Sequence, residues 1–161
     1  MGYGYELKCK KCGYKQPVRL GIGFRYPRVC SWILDAMKNG DFGKRFMEDA
    51  KSTPHAAIHQ ESDIFVCDNC GEWRVDDTID LCVPIGEYKE REGRFSVAVD
   101  YPKDVSYVMT FDIGRGYKII RSNPHRCGKC RHTLRPVKKG DKLKCPECGE
   151  LLKKGSEFNW D

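Results

Sequence analysis

The chain has 161 residues, 40% hydrophobic and 32% charged, with a formal net charge of +6 and ten cysteines. That length fits one or two small globular domains, and the composition excludes a disordered or collagenous chain. No stretch is long or apolar enough to span a bilayer, and no secretory leader precedes the charged N-terminal sequence, so the expectation is a soluble, cytoplasmic protein whose cysteines bind metal rather than form disulfides.

Eight of the ten cysteines fall into four CxxC pairs, Cys9/Cys12, Cys67/Cys70, Cys127/Cys130 and Cys145/Cys148. Two residues between the sulfurs let the backbone curl so that both meet one ion, and two pairs complete a four-thiolate site. Zinc suits that donor set because it accepts a closed tetrahedron of thiolates. Short segments of this kind bury little apolar surface alone, and metal substitutes for core. Two Zn2+ per chain are expected, with no organic cofactor.

In chain order, Tyr5–Leu7 and Tyr14–Gln16 flank the first pair as a β-hairpin. Gly13 follows its second cysteine at a turn, and Pro17 limits the second strand or puts it on an edge. A helical insertion is expected at about 27–53. Pro27 sits in the first turn of one helix, Val29, Trp32, Ile33, Ala36 and Met37 form its apolar stripe, and Gly40 closes it. Asp41 caps a second helix with Phe42, Phe46, Met47 and Ala50 inward, and Pro54 stops it. Cys30 is a small buried residue within the first helix. His55 and His59 make an HxxxH pair, but Ala56 stands where a zinc hydrolase places glutamate, so both are read as polar surface residues.

Ile64–Val66 and Trp73–Val75 are strands around the second pair, which again is trailed by a glycine, Gly71. Further strands are expected at Thr78–Val83, with Cys82 in the core, and at Arg94–Asp100, Ser106–Phe111 and Tyr117–Ile120, with a turn at Gly114-Arg115-Gly116.

The last segment carries Cys127-Gly128-Lys129-Cys130 and Cys145-Pro146-Glu147-Cys148-Gly149 on either side of a short basic stretch. The pattern CPxCG at Cys145–Gly149, and the CxxCG knuckles at Cys9–Gly13 and Cys67–Gly71, resemble the zinc-ribbon and rubredoxin-knuckle superfamily. Arg131 departs from it, standing where glycine would follow Cys130. As a whole the chain resembles small uncharacterised bacterial double zinc-ribbon proteins, a resemblance that supplies no activity.

The expected fold is α+β, small and β-rich, with two four-cysteine zinc ribbons, the first interrupted by the helical pair. Cys127/Cys130 and Cys145/Cys148, joined by a hairpin-sized loop, are expected to close on each other, leaving Cys9/Cys12 for Cys67/Cys70; a long insertion costs only about 0.6 kcal/mol of closure entropy per doubling. The domains would then be 1–121 and a separable basic ribbon, 122–161.

Charge divides the chain further: 11 Lys/Arg against 5 Asp/Glu in positions 1–60, 5 against 12 in 61–104, and 13 against 6 in 105–161. Arg126, Lys129, Arg131, Arg135, Lys138, Lys139, Lys142 and Lys144 concentrate the positive charge on the last ribbon, the footprint of a phosphate-backbone binder. Aromatics for base stacking are scarce in that hairpin, so such contacts would be sequence-neutral. Lys8, Lys10, Lys11 and Lys15 around the first pair would serve to offset the formal minus two of a zinc tetrathiolate, whereas Lys138, Lys139 and Lys142 lie further along the chain from the cysteines than that needs. Three functional readings follow: a non-catalytic zinc protein binding nucleic acid as an accessory or regulatory factor, a protein-interaction adaptor or inhibitor docking on an acidic protein surface, and a rubredoxin-like iron electron carrier. The long first spacer and the basic second ribbon fit the last poorly. No Ser-His-Asp set, phosphate loop or open three-ligand metal site is visible, which argues against an enzyme.

Overall fold

A computed structural model describes residues 2–23, 26–87 and 107–160, with the side chains of 26–28 excepted. The fold is small, β-rich and α+β, with two helices and seven strands in two sheets among the described residues. The expected strand at Arg94–Asp100 lies outside the described residues.

Contacts divide the chain into two compact units. The first gathers Met1–Phe24, Glu61–Thr78 and Pro124–Asp161, and the second Arg25–Gln60 and Ile79–Asn123. Of residues 122–161, expected as a self-contained ribbon, Pro124–Asp161 share a unit with the N-terminal hairpin. Its sheet is β1 (Gly2–Lys8), β2 (Lys15–Leu20) and the C-terminal strand Lys153–Trp160, with β1 in the centre and all pairings antiparallel. Pro17 is on the edge strand, as its missing N–H requires. Sequence reading assigned no element to 153–160, where Phe158 and Trp160 alternate with polar residues.

Gly2 and Gly4 make that docking sterically possible. A Cβ on Gly4 would stand 2.5 Å from both Phe158 Cε2 and the Val18 carbonyl oxygen, and one on Gly2 would stand 2.6 Å from Trp160 Nε1. The Trp160 indole N–H donates to the carbonyl oxygens of Tyr3 and Leu20 at 3.1 Å, satisfying a polar group that would otherwise be costly to cover. On the opposite side of the sheet, Leu7, Val18 and Leu20 pack with Ile64, Trp73 and Leu143.

The second sheet has the order β5-β4-β3-β6, where β3 is Ala57–Val66, β4 Trp73–Pro84, β5 Tyr117–Ser122 and β6 Arg135–Pro136; the C-terminal strand is β7. Strands β3 and β4 run through both units. In the first unit β6 pairs with Phe65 and Val66, and in the second β5 pairs with Asp80–Pro84.

The second unit holds the helices α1 (Tyr26–Asn39) and α2 (Lys44–Ser52), which match the expected insertion. The buried seam of α1 is Cys30, Leu34 and Met37, of which the expected stripe held only Met37; Trp32 is 68% exposed. Spacings of four and three residues keep that seam on one face, and the apolar residues Val29, Ile33 and Ala36 sit only at its margins. Gly40 closes α1 at φ 97, with its N–H to Met37 O and the Asp41 N–H to Ala36 O, the pattern of a Schellman end. Asp41 is thereby spent on terminating α1, and the N-cap of α2 is Gly43, which has no side-chain cap.

Two further expectations are corrected here. Tyr107 makes a single bridge to Ile58, and Thr110–Asp112 is a 3-10 turn rather than a strand. The Asp112 carboxylate accepts the Met109 N–H at 3.2 Å and curls the chain. His59 is not a surface residue: it is 7% exposed within β3, its Nδ1 3.1 Å from Asp80 Oδ2 and its Nε2 3.4 Å from Thr110 Oγ1. His55 stands in a separate turn at φ 55, so the two imidazoles share no helix face.

Candidate metal centres

The four CxxC loops share one local geometry. In each, the N–H of the first cysteine donates to the carbonyl five residues on, from Cys9 to Tyr14, Cys67 to Glu72, Cys127 to His132 and Cys145 to Glu150, at 2.7–2.8 Å. The residue after the second cysteine returns its N–H to the carbonyl of the first, at 2.8–3.1 Å. That returning residue needs positive φ, and Gly13, Gly71 and Gly149 adopt 80°, 74° and 75°. Arg131 fills the fourth position at φ 65 despite its Cβ. The departure from glycine thus leaves the loop intact and is absorbed as local strain.

The loops assemble into two tetrads, Cys9–Cys12–Cys145–Cys148 and Cys67–Cys70–Cys127–Cys130, each with its sulfurs within 4.8 Å of one another. Cys9 Sγ is 3.5 Å from Cys148 Sγ, Cys12 Sγ 3.5 Å from Cys145 Sγ, Cys67 Sγ 3.4 Å from Cys130 Sγ, and Cys70 Sγ 3.6 Å from Cys127 Sγ. A tetrahedron with metal–sulfur bonds of about 2.3 Å has edges of about 3.8 Å, so both tetrads are sized for one four-coordinate ion. The first cysteine of each loop is buried and the second lies nearer solvent, so each ion would sit just under the surface.

This pairing corrects the expected one. Cys127/Cys130 does not close on Cys145/Cys148, although only a short segment separates them. Flanking strands decide instead: β6 attaches to β3 and carries the third loop to the second, with Phe65 and Leu134 buried beside the sulfurs. Strand β7 attaches to β1 and carries the fourth loop to the first. Closing a loop of about 130 residues rather than about 15 costs about 2 kcal/mol more, which two strand pairings and their buried apolar side chains outweigh. The signal that could have found this was the alternation at 153–160, which demands a partner strand, opposite Gly2 and Gly4, which demand overlying side chains.

Within each tetrad the thiols are not equivalent. The Cys9 thiol is pulled down to about 7, first by the Cys12 N–H, and Cys130 down to about 5, first by the His132 N–H. At Cys70 the Glu72 N–H pulls down, but burial and the sulfurs of Cys130, Cys127 and Cys67 outweigh it and push the thiol up to about 12. Sulfurs this close cannot all ionise without a cation, so the tetrad favours a bound metal. The two remaining cysteines are different: burial pushes both Cys30 and Cys82 up to about 12, and they are core residues, as expected.

The eight candidate phosphate-binding cations are now distributed over three places. Arg126, Lys129 and Arg131 are exposed on the third loop, at the tetrad of Cys67, Cys70, Cys127 and Cys130, the inner of the two in sequence; that of Cys9, Cys12, Cys145 and Cys148 is the outer. Lys138, Lys139 and Lys144 are exposed on or beside the segment between the tetrads, where Lys142 is also displayed, and Lys144 adjoins the fourth loop. Arg135 is committed elsewhere: its guanidinium holds Asp68 at 2.8 Å and Asp141 at 2.6 Å, tying the second loop to the connecting segment. The outer tetrad also brings exposed Lys10 and Lys11 of the first loop to the same ion position as Lys144. At the inner tetrad, His125 stacks on Phe65 with ring centroids 3.9 Å apart, and its Nδ1 lies 2.9 Å from Asp76 Oδ2. Burial alone would raise the Asp76 carboxyl, but hydrogen bonds from His125, the Asp77 N–H and Arg74 hold it below the ordinary range.

No helix among the described residues is long and apolar enough to cross a membrane. No protein family matches the chain, and comparison with curated proteins and with solved structures returns no match. Site chemistry thus carries the functional argument: two tetrads positioned to hold metal ions.

Proposed function

We propose that this is a non-catalytic protein built on two structural zinc ions, one per tetrad, that binds nucleic acid through the cations displayed around them. Zinc is the metal that a closed set of four thiolates favours, and four thiolates leave it no position for water or substrate, so the ions act as staples. The observation that carries the nucleic-acid reading is the display of Lys10, Lys11, Lys129, Arg131, Lys138, Lys139, Lys142 and Lys144 on or between the metal loops. Rigid loops hold those charges at fixed places, which is what phosphate neutralisation uses.

Elemental analysis of the purified chain is expected to give two zinc per molecule; one metal, or iron, counts against the staple reading. Titration with DNA and RNA over a salt series is expected to show affinity falling steeply as salt rises, and the triple change Lys138→Glu, Lys139→Glu, Lys142→Glu to weaken it without loss of metal. Absence of binding at low salt removes the nucleic-acid reading. The adaptor reading then takes its place, drawing on Trp32, which is 68% exposed on α1.

A further inference from the structure

The sheet β2-β1-β7 uses only one of its faces for the core. Residues opposed across an antiparallel ladder point to the same side, so Tyr5, Leu7, Val18 and Leu20 face the apolar cluster together. The registers Gly4↔Arg19 and Lys8↔Lys15 on one flank, and Gly2↔Trp160, Gly4↔Phe158 and Lys8↔Lys153 on the other, gather a second set of side chains on the opposite face. There Lys15, Arg19 and Lys153 are exposed, and Phe158 and Trp160 are partly buried.

The aromatic rings lie on backbone rather than among side chains. The steric clash that any Cβ at Gly2 or Gly4 would meet shows Trp160 and Phe158 resting directly on β1. Trp160 is further fixed by Gly23, whose added Cβ would be 3.0 Å from Trp160 Cζ3, and by its two N–H···O contacts. Phe158 is only partly buried and stands in the same row as Arg19.

Lys15 and Lys153 flank the loops of the outer tetrad, whose formal negative charge they can offset, whereas Arg19 stands four residues further along β2, in the same row as Phe158. Lys15, Lys8 and Lys153 stand side by side across three strands, and like charges directly opposed destabilise a sheet. Glu6 neutralises Lys8 at 2.7 Å, but among the described residues neither Lys15, Arg19 nor Lys153 has an ion-pair partner. Unpaired cations in two rows of the face, Arg19 beside Phe158 and Lys15 with Lys153 four residues further along β1, match a ligand that offers phosphates and unpaired bases together.

We propose that this face binds a single-stranded nucleic acid, with a base stacked on Phe158 and phosphates held by Arg19, Lys15 and Lys153. The inference rests on the nucleic-acid reading above, but it names a different surface and the unpaired form of the ligand. A duplex keeps its base faces covered and cannot use Phe158.

The test uses the full-length, metal-loaded chain with a fluorescein-labelled thymidine 12-mer and a mixed-sequence duplex of the same length, each over a salt series. The single strand is expected to bind more tightly than the duplex. Phe158→Leu keeps an apolar cover on Gly4 but removes the ring, and is expected to weaken single-strand binding about tenfold with little change for the duplex. Arg19→Gln with Lys153→Gln is expected to lower the slope of log affinity against log salt by about 1.4. Metal content and thermal unfolding check that each variant folds, and the Arg19/Lys153 pair decides if Phe158→Leu does not. Single-strand binding that survives these changes, but is lost in the Lys138/Lys139/Lys142 triple variant, overturns this inference and leaves the broader reading standing. Equal affinity for duplex and single strand also overturns it, and no binding of either form at low salt overturns both.

Discussion

The two tetrads are built from the same loop and supported in opposite ways. The outer one joins residues 133 and 139 positions apart and the inner one residues 57 and 63 apart. By closure entropy alone the outer should be the weaker, by about 0.7 kcal/mol. Yet the outer tetrad is flanked by the full β1–β7 ladder, whereas the inner is flanked on its third loop by only the two residues of β6, the Phe65–Leu134 contact and the Arg135 ion pairs. A thiolate loop is thus a local object, but which loop it meets is set by the strands on either side of it. A metal in the outer tetrad would act together with the sheet, and the inner tetrad would depend more on its metal.

Ligand removal tests that contrast with the largest expected effect. Cys67→Ser and Cys148→Ser should each lower the metal content from two equivalents to one, and on the order of 10 kcal/mol of metal-linked folding free energy is at stake per site. Their consequences should differ. In Cys148→Ser the β1–β7 amides should retain part of their protection in hydrogen exchange, because the ladder persists without the ion. In Cys67→Ser the Val66 amide, opposite Arg135 of β6, should lose its own. Equal loss in both variants would mean that the sheet gives the outer centre no independent support. The same logic predicts that an excised 122–161 fragment, which carries half of each tetrad, will not reproduce the β7 protection of the whole chain.

Gly4→Val attacks the outer centre from its sheet instead of its sulfurs. The added Cβ meets the Val18 carbonyl and the Phe158 ring, and backbone on one side gives no room to relax. A loss of about 3 kcal/mol is expected, read as a lower denaturant midpoint, with the inner metal retained. Retention of full stability would show that β7 is free to shift along β1.

These contrasts also explain what was legible in the sequence. The loops, their glycines and the eight ligands could be read because each is a local pattern of about six residues. So could the helical pair and the edge position of Pro17. The pairing of loops could not, because it depends on which strands share a sheet, and the short loop between Cys130 and Cys145 pointed the other way. Trp32 was misplaced because a large apolar residue weighs heavily in a periodicity count, whereas the seam follows Cys30, Leu34 and Met37. His59 was misread because its partner Asp80 lies on the next strand, beyond any local motif. Phe158 and Trp160 carried no role until the register set them on Gly2 and Gly4.

A smaller effect is expected at the inner centre from pH. The Arg135 guanidinium, with the Lys138 N–H, holds the Asp141 carboxyl down at about 2. A depressed folded-state value contributes stability above the ordinary carboxylate value of about 3.9, lost as pH falls toward 2. The difference in Tm between the native chain and Asp141→Asn should therefore stay flat from pH 8 to about 5 and shrink only below about 4. A difference that changes between pH 8 and pH 5 would show that Asp141 is not the group responsible.

The smallest expected change sharpens the comparison between loops rather than centres. Three of the four place glycine at the positive-φ position and the third places Arg131 there, at φ 65. A side chain in this region costs about 1 kcal/mol, since Cβ crowds the following carbonyl oxygen. Arg131→Gly removes that crowding and should raise stability by up to about 1 kcal/mol, offset in part by the greater freedom glycine has in the unfolded chain. Strain retained at one of four equivalent positions calls for a use, and Arg131 is an exposed cation on the loop that also carries Lys129. The variant should therefore gain stability in chemical denaturation and lose nucleic-acid affinity, with a shallower salt dependence. A gain in stability with unchanged affinity would make the strain a cost without a function. A loss of stability would mean that the Arg131 side chain contributes more to the inner centre than its exposed position suggests.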